Sequence, residues 1–143
     1  MFDEKSIDVL KRMLESFGPS GFEKETTRVI KDYMQAYADD VMADKLGSII
    51  FVSEGQKDRP HVLLAGHIDE VGFVISGIDE KTGFLTFNTL GGWWDQVLLS
   101  QRVLVRTEKE DLTGVIAAKP PHLLTDEERG KMMTLDKMFI DIG

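Results

Sequence analysis

Val62-Leu63-Leu64-Ala65 is an unbroken apolar run with no polar residue alternating through it. A strand that is wet on one face alternates apolar and polar side chains, so this run predicts a strand covered on both faces, as in a parallel sheet lying between helices. The run leads directly into Gly66-His67-Ile68-Asp69. Ligands of open α/β sheets bind beyond the carboxyl ends of the strands, which places His67 and Asp69 where chemistry is expected. If the chain stays extended through Ile68, residues two apart point the same way, and the Asp69 carboxylate can accept a hydrogen bond from one imidazole nitrogen of His67. That bond sets the tautomer and leaves the other nitrogen as a metal donor, an arrangement common around metal-bound histidine, although the triplet alone equally describes a buried histidine satisfied by a neighbouring carboxylate. Gly66 and Gly72 allow tight backbone turns around the site.

The flanking segments predict two different textures. Ile7, Leu10, Leu14 and Phe17 recur on one helical face, and Gly18-Pro19 supplies a stop. Ser20 followed three residues later by Glu23 has the spacing of a capping box. A second helix is therefore predicted to about Ala38, with Thr26, Val29, Ile30, Tyr33, Met34 and Tyr37 along its apolar face. From Val41 onward β-branched and aromatic residues, notably Ile49 to Val52 between Gly47 and Gly55, predict short strands. Beyond Glu70 the strand-like runs are Val71 to Ile75, Phe84 to Phe87, Val97 to Leu99 and Val103 to Arg106. Asp79 to Gly83 and Gly91-Gly92 separate some of them. The fold class read from this pattern is α/β: helices and strands over residues 1–69, then a small β-rich, barrel-like unit over residues 70–143.

Composition excludes several functions. The net charge is -8, with acids and bases interleaved, so no basic stripe exists to neutralise nucleic-acid phosphates. The absence of cysteine removes disulfides, thiolate nucleophiles and Cys-based zinc sites, and any transition metal must be held by His, Asp and Glu. No apolar run approaches the roughly 18 residues of a membrane span, and Met1 to Leu10 is charged where a secretion signal would be apolar. A soluble, cytoplasmic protein is expected.

The string His61-Val62-Leu63-Leu64-Ala65-Gly66-His67-Ile68-Asp69-Glu70-Val71-Gly72-Phe73 closely resembles the first metal motif of the tetrahedral and glutamyl aminopeptidase family, some of whose members carry a cellulase or endoglucanase label. Other stretches agree in the same order. They are Gly18-Pro19-Ser20-Gly21-Phe22-Glu23, Asp44-Lys45-Leu46-Gly47-Ser48, Gly91-Gly92-Trp93, Gln96 to Val103, Gly114-Val115-Ile116 and Phe139-Ile140-Asp141-Ile142-Gly143. The resemblance implies an α/β catalytic domain interrupted by a β-rich insertion that mediates assembly. Residues 1–69 would be the first part of the former, and residues 70–143 an incomplete copy of the latter. It also implies a metal-dependent aminopeptidase acting on peptides, with two divalent ions, zinc or cobalt, per active site, and a homo-oligomer, dimer or higher, formed through the β-rich domain. By resemblance His67 is a ligand of one metal and Asp69 its orienting partner. Such a centre lowers the pKa of a bridging water and polarises the peptide carbonyl while a nearby Glu moves protons.

The family's other site elements are a bridging Asp, an adjacent Glu pair, another acidic ligand and a last His. All follow the insertion, and none is matched before Gly143. One His cannot hold a catalytic zinc, so the chain alone is expected to be inert. Glu127-Glu128 is not the missing pair, because Thr125 and Glu128 have capping-box spacing at a helix start. His122, after Pro120-Pro121, and His61, at a strand start, carry no ligand role in this reading. Trp93-Trp94 with Phe84 and Phe87 could suggest a sugar-stacking platform, but aromatic residues in a small β unit usually fill its core. Asp69-Glu70 are sequence neighbours rather than carboxylates set across a glycosidic bond. The alternatives are a non-catalytic oligomerisation module and, less favoured, a glycoside hydrolase. Residues 1–69 lack partners for a parallel sheet and are expected to be more mobile or association-prone than the β unit.

Overall fold

A computed structural model describes residues 3–56 and 59–143, which fall into two compact units, Met1–Val71 and Gly72–Gly143. In the first, Asp3 caps helix α1 (Glu4–Glu15) by accepting the Ser6 amide at 2.8 Å. The helix stops at Ser16, just before Gly18-Pro19. Helix α2 (Lys24–Met34) packs against α1 and runs into a 3-10 turn over Gln35–Tyr37. The capping box expected from Ser20 and Glu23 does not form. Gly21, at φ +88°, turns the chain so that Glu23 is itself the N-cap, and its carboxylate takes the Gly21 amide at 2.6 Å instead.

Strands β1 (Asp40–Ala43) and β2 (Ile49–Val52) form an antiparallel hairpin in the register Asp40↔Val52 to Ala43↔Ile49. The Asp44 carboxylate closes it by accepting the Leu46 and Ser48 amides at 2.8 and 2.9 Å. The apolar run expected to be a doubly covered strand is neither a strand nor buried: Val62, Leu63 and Leu64 are 79%, 83% and 92% exposed. Such a strand requires paired neighbours on both sides and helices on both faces. Among the described residues β1 and β2 pair only with each other, so the run has no ladder to join. Among the described residues of this unit the buried ones are Gly18, Pro19 and Thr26, while Ile7, Leu10 and Leu14 of α1 stay exposed.

The second unit has a true core. Strands β3 (Gly72–Ile78), β4 (Leu85–Leu90), β5 (Arg102–Arg106), β6 (Asp111–Ala118) and β7 (Met138–Asp141) form an antiparallel sheet ordered β3-β4-β7-β6-β5. Alternation sends Leu85 and Phe87, Val105, Ile116, and Met138 and Ile140 to one side, where they pack with Leu98. Phe73 stacks on Trp93 at 5.1 Å and meets Phe87 edge-on at 5.1 Å, completing an aromatic wall. β3 and β5 end the order with no ladder between them among the described residues, so strand pairing does not close the sheet into the expected barrel.

Val97 to Leu99 is not a strand. Asp95–Val97 is a 3-10 turn whose bonds are local, Leu98 donating to the Asp95 carbonyl at 3.1 Å, and it drops Leu98 into the core at 1% exposure. β6 and β7 were not predicted as strands. Gly114 interrupts the apolar alternation of β6, and β7 is only four residues long. The predicted capping box at Thr125 does form, on the short helix α3 (Asp126–Arg129). Among the described residues no helix is long and apolar enough to cross a membrane.

Candidate functional site

The site is assembled where the loop after α1 meets the segment before β3. Gly18 and Glu70 bond reciprocally: the Glu70 amide donates to the Gly18 carbonyl at 2.9 Å, and the Gly18 amide donates to a Glu70 carboxylate oxygen at 3.2 Å. Pro19 and Glu70 add a parallel bridge. With the loop fixed in this way, the Ser20 hydroxyl donates to Oδ2 of Asp69. The other carboxylate oxygen, Oδ1, lies 3.0 Å from Nδ1 of His67, and the Asp69 carbonyl lies 3.1 Å from the same nitrogen.

These contacts decide protonation. The Ser20 hydroxyl is the largest influence holding the Asp69 carboxyl below its ordinary value; the His67 contact adds to it and partial desolvation opposes it. An anionic carboxylate only accepts, so the hydrogen at this contact belongs to His67 as Nδ1–H. Nε2 then carries the ring's lone pair, on a side chain that is 86% exposed. Beside it lies a cleft of about 250 Å³ whose walls include Glu23, Ser48, Ile49, His67 and Asp69.

A catalytic zinc needs three protein ligands and an open position. Among the described residues no three His, Cys, Asp or Glu side chains are grouped to hold a metal. Asp69 has both oxygens engaged, and His67 offers one ring nitrogen as a donor. The residues present therefore suit one ligand position and do not complete a metal site.

The other candidates have surroundings of their own. His61 and His122 are exposed, the latter in a 3-10 turn over Pro121–Leu123. Glu128 is occupied in the capping box, accepting the Thr125 amide at 2.7 Å while its own amide donates to the Thr125 hydroxyl at 3.2 Å, and Glu127 pairs with Lys131. Trp93 belongs to the aromatic wall and donates from its indole to the Gly72 carbonyl at 3.3 Å, whereas Trp94 is exposed. Sequence reasoning missed Ser20 as the partner of Asp69 and Glu70 as the anchor of Gly18. Ser20 stood in a conspicuous Gly-Pro-Ser-Gly turn, but capping-box spacing accounted for it locally and hid its long-range contact.

A sequence profile described as M42 glutamyl aminopeptidase matches residues 47–143. The chain belongs to the M42 glutamyl aminopeptidase family. It is 40% identical over 139 residues to the provisionally named aminopeptidase FrvX of Escherichia coli (strain K12), covering 96% of this chain and 38% of that protein. The TET aminopeptidase of the marine sediment archaeon Thaumarchaeota archaeon SCGC AB-539-E09 superimposes with a TM-score of 0.94 at 57% identity, over 99% of this chain and 39% of that one. The Pyrococcus horikoshii TET1 peptidase, which can assemble into a tetrahedron or a large octahedral shell, matches with a TM-score of 0.78 at 36% identity, over 96% and 40%. The chain spans about two-fifths of the length of the curated relatives it matches.

Proposed function

We propose that this chain provides the first metal ligand, with its orienting carboxylate, of an aminopeptidase that removes N-terminal residues from peptides with a metal-activated water. The observation that carries the reading is the His67–Asp69 pair at 3.0 Å, which favours the Nδ1–H tautomer and leaves Nε2 as a metal donor on an exposed side chain that lines an open cleft. In this reading His67 serves one ion of a two-metal centre, zinc or cobalt, and the other donors and the proton-moving Glu come from outside these 143 residues. Residues up to about 69 belong to the catalytic domain, and residues from about 70 to 143 to its β-rich insertion.

The test is metal titration of the chain followed at the imidazole nitrogens of His67. Zinc should perturb Nε2 weakly and reversibly, His67→Ala should abolish the effect, and the chain alone should release no amino acids from peptides. Tight binding of zinc or cobalt with peptide hydrolysis by the chain alone would refute the incomplete centre.

A second role, homo-oligomerisation through the β-rich unit, is supported by the related TET1 peptidase that assembles into shells and by the exposed Leu104 and Val115 on β5 and β6. Light scattering that returned only monomer at micromolar concentration would argue against it.

A further inference from the structure

We propose that Ser20 is a positioning residue that acts through Asp69 on His67, its hydroxyl holding one carboxylate oxygen so that the other stays on Nδ1. The functional meaning rests on the reading of His67 as a metal ligand; the structural argument does not.

Packing does not hold the exposed His67 ring. The His67 side chain is 86% exposed and that of Asp69 36% exposed, and the carboxylate torsion of aspartate is intrinsically broad. Left alone, a carboxylate two residues from an exposed imidazole would sample many orientations, and an exposed hydrogen bond of this kind contributes little by itself. What the pair has is an external reference. Ser20 reaches Asp69 from 49 residues away in sequence, and its own backbone is held because Gly18 and Glu70 bond in both directions and Pro19 is buried. Order thus passes from the buried Gly18–Thr26 contact, through the Ser20 hydroxyl and the Asp69 carboxylate, to the exposed ring. Ser20 does not serve as a helix cap, since the N-cap of α2 is Glu23.

The test needs no metal and no substrate. The chain has three histidines, so His67 is assigned in long-range proton–nitrogen spectra by its loss in His67→Gln. Spectra are taken in alkaline buffer, in which imidazoles in general are neutral. Free histidine favours the Nε2–H form. Wild-type His67 should be mainly Nδ1–H, Asp69→Ala should lose that preference, and Ser20→Ala should lose most of it. Ser20→Thr and Ser20→Val share one shape and differ in the hydroxyl, so Thr should retain the wild-type form and Val should not; this comparison decides the matter if Ser20→Ala fails to fold.

Ser20→Ala or Ser20→Val with the full Nδ1–H population would overturn the proposal, as would a Thr variant no better than Val. A wild-type ring already in the Nε2–H form would remove the ligand geometry itself, and the peptidase reading with it. Conversely, a tautomer that follows the hydroxyl while zinc titration leaves Nε2 unperturbed would uphold the role of Ser20 and count only against the metal reading.

Discussion

A side chain on Gly18 would overlap the hydroxyl oxygen of Thr26. Thr26 is 4% exposed, and its hydroxyl is 2.7 Å from that of Ser16, so the oxygen has a fixed partner and no open space to retreat into. The close approach of the loop to α2 at this point puts Ser20 within reach of Asp69.

Gly18→Ala should therefore destabilise the first unit by about 1–3 kcal/mol, the usual cost of forcing a methyl into a packed contact. The sheet of the second unit should be unaffected. Urea unfolding followed separately at Tyr33 and at Trp93 would show it, and coincident loss of both signals would contradict it.

Ile140 is 1% exposed and pairs with Ile116 on β6 and Leu85 on β4, at the centre of the sheet. Truncation in Ile140→Ala removes a buried side chain and leaves a cavity, so a loss of about 2–5 kcal/mol is expected in chemical denaturation of the second unit. A loss below roughly 1 kcal/mol would show that the core collapses around the gap.

The β3–β4 turn should loosen in acid. Asp79 accepts the Thr82 amide at 2.8 Å, the Thr82 hydroxyl at 2.9 Å and the Lys81 amide at 2.9 Å, and the Thr82 bonds are the largest reason its carboxyl lies below the ordinary 3.8. The unfolded chain thus holds this proton more tightly than the folded one. The contribution is fully present above the ordinary value and disappears as pH falls through the lower folded value. Amide exchange at Lys81 and Thr82 should accelerate across that window in the wild type. In Asp79→Asn, which can still accept but cannot titrate, the acceleration should be absent.

Amide exchange should also separate the two units. Every buried apolar side chain of the described core belongs to the second unit, whereas α1 and α2 bury only Thr26 between them. Opening free energy follows buried apolar contact, so α2 should exchange faster than β4 and β6. Slower exchange in α2 would overturn this ordering.

Much of this was legible in sequence wherever the signal was local. The helical periodicity from Ile7 and from Thr26, the turn at Asp79 to Gly83 and the capping box of Thr125 and Glu128 all appear as read, because each depends on residues within about a turn of one another. Errors arose where a local pattern had two outcomes. Ser20 and Glu23 have the spacing of a cap, but Gly21 redirects the chain between them. Val97 to Leu99 has the composition of a strand, yet Leu98 is delivered to the core from a turn. The apolar run at Val62 marks a strand only if other strands receive it, which the residues of the run cannot specify.

By itself the sequence determined that His67 and Asp69 lie two residues apart after an apolar run, that the second half is rich in strands, and that membership of one peptidase family follows from motifs in order. Tertiary structure alone decided that Ser20 grips Asp69, that Glu70 anchors Gly18, and that the sheet runs β3-β4-β7-β6-β5. The difference is physical: periodicity and spacing record the preferences of neighbours along the chain, whereas a hydrogen bond across 49 residues or the order of strands depends on which distant surfaces meet.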